Sequence, residues 1–293
     1  MGARLAGAPA FEVATVIAWC LVGGAVGVIV AGGVSVLLLA GAPVGLRRDN
    51  FRGNEVVMLG VAPLLGFLAA EGILSLAWVG GTGTTVFPSA ANVALLLSVP
   101  GLTAVGLLDD LAGDGATRGF SGHLGGLARG KLSTGAIKVI GGGVCALVAG
   151  AVLGRGMGDA LGAGALIALS ANAANALDVR PGRALKVWVA VWVIMAIFAS
   201  PAGLVASASL MGCCVALLPL DLRERGMLGD AGANPLGAAL GVMAASTWRG
   251  VGIWAGVGTL LVLELLGDRV SLTAVIERVP PLRWLDAAGR RPG

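Results

Sequence analysis

Nine apolar segments of about 20 residues, each long enough to cross roughly 30 Å of hydrocarbon, restrict this chain to a membrane fold. Mean hydropathy is +0.92, and 12% of the residues are charged, against roughly 25% in soluble domains. The longest polar stretch, 109–133, is too short to bury a core of its own. We predict an all-α polytopic bundle in which residues 1–293 form one integral membrane domain. The predicted spans are 13–39, 56–80, 86–108, 134–154, 159–177, 184–200, 202–220, 235–248 and 250–267.

Basic residues are divided unevenly between the two ends of these spans. Alternation places 17 of the 20 Lys and Arg residues on the side of Asp109 and Asp110, counting Lys138 one turn inside the fourth span. Cytoplasmic loops carry such an excess, so we predict a cytoplasmic C-terminus and an outside N-terminus. The membrane topology accounts for the distribution of the Lys and Arg residues, which therefore do not indicate nucleic-acid binding. The loops expected to form a site are 40–55, 109–133, 178–186, 221–234 and 268–293.

Acidic and amide residues recur at the cytoplasmic ends of three predicted spans. Converging acids, amides and lysines suit magnesium and phosphate, because Mg²⁺ takes one or two carboxylates together with waters and substrate phosphates. Each group alone also suits a solvated helix end, an interhelical amide contact or a turn. The residues concerned are Asp109 and Asp110, then Asn172, Asn175 and Asp178, and finally Asp230.

Two lysines open the fourth predicted span, after a glycine-rich stretch at 119–130. Lys131 and Lys138 can hold a diphosphate, with the glycines allowing close approach of the backbone. The alternative for Lys131 is an anchor at the membrane surface. His123 in the same loop can act as a base or a ligand, although a single loop histidine is more often neither.

Four segments in this order resemble one enzyme family over about residues 45 to 286. They are Gly106-Leu-Leu-Asp109-Asp110, 130–138, the pattern from Asn172 to Asp178, and Leu228-Gly229-Asp230-Ala-Gly232. The resemblance is to the polyprenyl-phosphate N-acetylhexosamine-1-phosphate transferases. This group, of the glycosyltransferase family 4 type, includes phospho-N-acetylmuramoyl-pentapeptide transferase.

The resemblance implies transfer of a sugar-1-phosphate from a UDP-sugar, with an N-acetylated hexosamine expected, to undecaprenyl or another polyprenyl phosphate. The products are a polyprenyl diphosphate sugar and UMP, and the setting is cell-envelope glycan synthesis at the bacterial cytoplasmic membrane. The implied cofactor is Mg²⁺, with Mn²⁺ as a substitute. The implied partners are the lipid phosphate, the nucleotide sugar and membrane lipids, and a homodimer is left open.

Roles for individual residues also follow from the resemblance. It assigns Asp230 and Asp110 to the metal, and Asp109, Asp110 and Lys131 to catalysis. Since the second pKa of a phosphate monoester is near 6, we expect Asp109 to position the lipid phosphate more than to deprotonate it. The residues expected to bind substrate are Asn172, Asn175, Asp178, Lys138 and Arg283.

The chain departs from the family pattern on the nucleotide side. Pro281-Leu282 is followed by Arg283 and Trp284 where the family has histidines, and Asp178 is followed by Val179 instead of glycine. Arg283 can substitute by pairing with phosphate or can anchor the tail at the interface. The alternative function is a catalytically weak homologue that binds the lipid carrier or regulates envelope polysaccharide assembly. The CDP-alcohol phosphotransferases are excluded, because their acid spacing is not present.

Overall fold

The computed structural model describes residues 10–82, 87–112 and 134–291, which are helical almost throughout. Apolar runs form helices in lipid because each helix satisfies its own backbone hydrogen bonds. The helices of the described residues are α1 (Ala10–Gly41), α2 (Val61–Ala77), α3 (Ala90–Ala112), α4 (Thr134–Leu153), α5 (Met157–Leu177), α6 (Arg183–Ala196), α7 (Pro201–Leu222), α8 (Asp230–Thr247), α9 (Val251–Arg269), α10 (Leu272–Arg278) and α11 (Pro280–Ala287).

Six helices, α1 to α5 and α7, are long and apolar enough to cross a membrane. The pair α9 and α10, bent by 88°, gives a seventh if the two form one span. On the outer face of α1, Ile29 and Leu37 are 71% and 73% exposed, as expected of side chains that face lipid. The chain therefore has the character of a helical membrane protein.

The prediction of nine spans is only partly met. All nine apolar segments contain a helix, but α6 has 14 residues and rises about 21 Å, less than the hydrocarbon thickness. Helix α8 is not among the candidate spans, because Asp230, Asn234 and its many small residues lower its mean hydropathy. The segment predicted as a span from residue 56 begins instead as a strand.

Three short strands form a small sheet that the all-α prediction did not include. They are β1 (Arg47–Asp49), β2 (Glu55–Met58) and β3 (Gly226–Met227). β1 and β2 are antiparallel, whereas β2 and β3 are parallel, with Val57 opposite Gly226 and Met58 opposite Met227. The sheet joins the segment before α2 to the segment before α8.

Helix α8 lies at the centre of the bundle, in contact with α3, α5, α6 and α7. Fourteen of its 18 residues are buried, and most are small, which allows helix backbones to approach closely. The Trp188 indole of α6 donates a hydrogen bond of 2.6 Å to the Leu236 carbonyl of α8. This arrangement fixes the N-terminus of α8 among the ends of its neighbours.

Candidate functional site

The candidate site lies where the N-terminus of α8 meets the C-terminal ends of α3 and α5 and the first turns of α4. Helix N-termini carry unpaired N–H groups and a partial positive charge. Those of α8 meet the carboxylate of Asp110, at the end of α3. Asp110 Oδ1 accepts from the Asp230 N–H at 3.1 Å, and Oδ2 accepts from the Ala231 N–H at 2.9 Å. Asp110 is therefore the cap of a helix that begins 120 residues later.

Two glycines make this capping contact possible. A Cβ on Gly106 would lie 2.5 Å from the Asp230 carbonyl oxygen, so only glycine lets α3 pass this close to the start of α8. Gly229 has φ 63°, a left-handed conformation that glycine adopts without steric cost. A Cβ there would also lie 2.9 Å from Asp110 Oδ2. The Gly-Asp motif is thus a turn that begins α8 under the Asp110 carboxylate.

Asp230 joins α8 to α4 and α5. Its Oδ2 accepts a hydrogen bond from Lys138 Nζ in a half-buried ion pair. The Asn175 amide lies between the two, and in the amide orientation that satisfies both partners it donates to Asp230 Oδ1 at 2.6 Å and accepts from Lys138 Nζ at 2.9 Å. We call Lys138, Asn175 and Asp230 the central triad. It combines a cation, an amide and a carboxylate beside a helix N-terminus, which is a setting suited to an anion.

Asp109 also contacts the central triad. Burial raises the pKa of Asp230, Lys138 opposes the shift, and a hydrogen bond with the Asp109 carboxyl adds to it. Asp109 therefore adds a second acidic side chain beside Asp230 and Lys138.

Asp178 and Asp221, which we call the acid pair, lie behind the Gly229 turn. The Asp178 carboxylate accepts from the Gly229 N–H, and that of Asp221 accepts from the Gly182 N–H. Burial, followed by the negative charge of Asp221, raises the pKa of Asp178 well above its usual value. The Oδ2 atoms of both residues are buried without a hydrogen-bond partner.

A cavity of about 530 Å³ adjoins this pair. Its walls come from the β1–β2 turn, the α5–α6 turn and the segment from α7 to β3, and include both Asp178 and Asp221. Across the rim, the Arg180 guanidinium lies 4.5 Å from the centroid of the Phe51 ring. The cavity is therefore acidic on one side, and it is lined by Asp178 and Asp221 but not by Lys138, Asn175 or Asp230.

Among the residues expected to form the site, the structure brings together Asp109, Asp110, Lys138, Asn175 and Asp230, with Asp178 adjoining them. Two others lie apart from this group. Asn172 is exposed on α5, one turn before Asn175, and Arg283 is exposed on α11. Lys131 and His123 lie outside the described residues.

The structure also shows a charged cluster that the sequence reasoning missed. The buried guanidinium of Arg183 makes two hydrogen bonds to the Asp286 carboxylate, of 2.7 and 3.0 Å. Arg290 pairs with the same carboxylate at 2.7 Å, and Lys186 Nζ donates to three carbonyls at the end of α11. We call Arg183, Lys186, Asp286 and Arg290 the C-terminal clasp. The four-residue spacing of Asp286 and Arg290, typical of a helical ion pair, was the available signal.

The oxygen donors of the site fit a hard cation. In the described ranges, no group of three or more His, Cys, Asp or Glu side chains is arranged to hold a metal ion. Mg²⁺ is nevertheless held in many enzymes by one or two carboxylates, with water and substrate phosphates supplying the remaining ligands. The carboxylates of Asp230 and Asp110 and the amide oxygen of Asn175 are donors of that kind.

No protein-family model matches the chain, and no curated protein matches it.

Proposed function

We propose that this chain is a magnesium-dependent sugar-1-phosphate transferase that acts on a polyprenyl phosphate. The donor is a UDP-sugar, with an N-acetylated hexosamine favoured by the sequence resemblance. In this proposal the protein resides in a bacterial cytoplasmic membrane with nine spans, an outside N-terminus and a cytoplasmic site. The observation that carries the proposal is the convergence of Asp110, Lys138, Asn175 and Asp230 from four helices on the N-terminus of α8.

Phosphoryl transfer depends mainly on alignment and on neutralising the charge of two approaching phosphates. A lipid phosphate oxygen forms a new bond to the phosphorus that carries the sugar, and the bond from that phosphorus to UMP breaks. The electron pair of the broken bond leaves with UMP. A site for this reaction needs cations, fixed dipoles and a carboxylate that orients the nucleophile.

The residues of the candidate site can meet these needs. Lys138 lies where its ammonium can bind a phosphate oxygen, and the partial positive charge at the start of α8 adds to the attraction. Asp109, beside Asp230, can orient the lipid phosphate. When bound by Asp230 and Asp110, Mg²⁺ would supply positive charge between the phosphates. The amide oxygen and nitrogen of Asn175 can bind Lys138 and Asp230 respectively, which would fix the relative positions of these two side chains.

The decisive experiment is UMP release by the purified full-length chain in nanodiscs, supplied with undecaprenyl phosphate, Mg²⁺ and a panel of UDP-sugars. We expect Mg²⁺-dependent release that falls at least ~100-fold in Asp230→Asn. The matched control is Asp159→Asn, because Asp159 lies at the other end of α5 and accepts only the Gly250 N–H in the described contacts. No release with any donor, or an unchanged rate in Asp230→Asn, contradicts the proposal.

A second candidate function is binding of the lipid carrier without catalysis. The observation that favours it is internal pairing: Asp110 uses both oxygens to cap α8, and Asp230 pairs with Lys138. Arg283, the residue expected to substitute for the family histidines, is exposed. Saturable binding of undecaprenyl phosphate by a protein that releases no UMP from any donor would favour this candidate.

A further inference from the structure

The carboxylates of the acid pair, Asp178 and Asp221, have only part of their hydrogen-bonding capacity satisfied. One oxygen of each carboxylate accepts a backbone N–H, from Gly229 and Gly182 respectively. The other oxygen of each, Oδ2, is buried without a hydrogen-bond partner. Leaving a buried acceptor unpaired costs about 1–3 kcal/mol and more for a charged group, so two adjacent cases indicate a missing ligand.

The charges that line the cavity favour a positively charged ligand. Asp49 and Glu224 line the same cavity as the acid pair, so four carboxylates face it. Arg180 is the single basic residue among the described residues that line the cavity, and its guanidinium is stacked on Phe51. The negative field of the cavity favours a cation over a phosphate.

Glu224 is already paired and is not expected to be a direct ligand. Its carboxylate accepts a hydrogen bond of 3.0 Å from the Asn50 amide and forms an ion pair of 3.3 Å with Arg52. Asp221, in contrast, is only 5% exposed and has Oδ2 free of hydrogen bonds. Glu224 Oε1 also has no hydrogen bond, but the Arg52 guanidinium lies 3.3 Å from it, so Asp178 and Asp221 are the better candidates for direct ligands.

We propose that Asp178 and Asp221 hold a divalent cation in this cavity, separate from the magnesium assigned to Asp230. Two carboxylates balance a charge of +2, and two hard oxygens are within the ordinary protein contribution to an Mg²⁺ site. A cavity of about 530 Å³ has room for the waters that such an ion retains. The ion would join the α5–α6 turn, through Asp178, to the end of α7, through Asp221.

This inference does not depend on the transferase proposal. Its readout is metal binding in the absence of nucleotide and lipid phosphate. A protein that binds the ion at Asp178 and Asp221 but releases no UMP would support the cation site and contradict the transferase. A protein that releases UMP but binds no ion at these two residues would support the transferase and contradict the cation site.

The experiment is Mn²⁺ titration of the purified full-length chain in detergent, with free Mn²⁺ measured by electron paramagnetic resonance. We expect Asp221→Asn and Asp178→Asn each to lose one ion per chain or to bind it at least ~10-fold more weakly, since even outer-shell changes cost 10–100-fold. Asp230→Asn and the Asp159→Asn control should both retain this ion.

Unchanged binding in both Asp178→Asn and Asp221→Asn overturns the proposal, as does the absence of binding by the wild type. If either variant does not purify as a monodisperse protein, anomalous scattering from Mn²⁺ in wild-type crystals decides. A peak between the two carboxylates supports the site. No peak there, including a peak at Asp230 alone, overturns it.

Discussion

The C-terminal clasp and the acid pair lie on either side of the α5–α6 turn, and they differ in how completely their carboxylate oxygens are paired. In the clasp, Asp286 is enclosed by two guanidinium groups, from Arg183 and Arg290. In the acid pair, Asp178 and Asp221 each accept one backbone N–H and leave one oxygen unpaired. The comparison distinguishes a carboxylate that stabilises the fold, Asp286, from two carboxylates, Asp178 and Asp221, that are available to a ligand.

The two regions are also connected. Arg290 donates a hydrogen bond of 2.8 Å to the Pro181 carbonyl, and the neighbouring Gly182 N–H binds the Asp221 carboxylate. Burial works against ionisation of Asp286, but the hydrogen bonds from Arg183 and Arg290 outweigh it and lower the pKa of Asp286. A carboxylate that stays ionised in the clasp thereby fixes the turn that orients the acid pair.

The largest expected effect is that of Asp286→Ala. Removing one partner of a buried ion pair leaves the other charge uncompensated, at a cost of about 3–5 kcal/mol, and Arg183 is only 3% exposed. We expect the apparent melting temperature in detergent to fall by several degrees, measured by thermal unfolding with size-exclusion detection.

The matched control for Asp286→Ala is Glu55→Ala. The ion pair of Glu55 with Arg47 is exposed, and such pairs contribute below about 1 kcal/mol. Equal destabilisation by the two variants would show that the clasp is no stronger than a surface pair and would remove the contrast drawn above.

The next effect is expected from Gly106→Ala, which adds a methyl group 2.5 Å from the Asp230 carbonyl oxygen. Overpacking at a close helix contact costs about 1–3 kcal/mol and should move Asp110 away from the amides that it caps. Gly143→Ala is the control, because nothing lies within 4 Å of a Cβ there and alanine favours a helix over glycine. A melting temperature that falls no further in Gly106→Ala than in Gly143→Ala would show that α3 can move away from α8 without loss.

The smallest effect, and one of opposite sign, is expected from Asp178→Asn in metal-free buffer. The folded-state pKa of Asp178 lies above the ordinary value of 3.8, so its contribution to stability is complete below that value and is lost as pH rises through the raised pKa. Wild-type stability should therefore fall as the pH rises above about 4. The pH dependence of stability in the variant should lack this contribution, and near neutrality the variant should be more stable than the wild type by about 1 kcal/mol, the lower end of the cost of an unpaired buried acceptor.

Thermal unfolding of both proteins with a chelator, at several pH values, measures this difference. Added Mn²⁺ should then narrow the gap by stabilising the wild type. Parallel pH profiles for the two proteins would show that Asp178 is not an unsatisfied acid, and the contrast between the two regions would fail.

The sequence was sufficient for the parts of the site that depend on helix ends. The alternation of apolar spans and the placement of charge put Asp110, Lys138 and Asp230 on the same side of the membrane, and the structure brings them together around the start of α8. That the Asp110 carboxylate caps α8 was not foreseen, because capping between two helices depends on how closely their backbones approach. The loop 221–234 was expected to contribute to the site, but the pairing of Asp221 with Asp178 depends on the path of the α5–α6 turn.

The sheet and the clasp were missed for a different physical reason. Strand β3 has two residues and exists only because it pairs with β2, about 170 residues earlier, so no local pattern predicts it. The β1–β2 turn did carry a signal, since Asn50 accepts from the Arg52 and Asn54 N–H groups and Gly53 has φ 76°. Asn and Gly at such positions are typical of a hairpin.

The capping of α8 by Asp110 has a consequence for how the protein is made. A chain synthesised from its N-terminus places α3 in the membrane long before Asp230 leaves the ribosome. The partner for the first amides of α8 is therefore present before that helix exists, and the 120-residue separation does not have to be closed by two unfolded segments searching for each other. The order of synthesis turns a contact that is distant in sequence into the docking of one late helix on an earlier template.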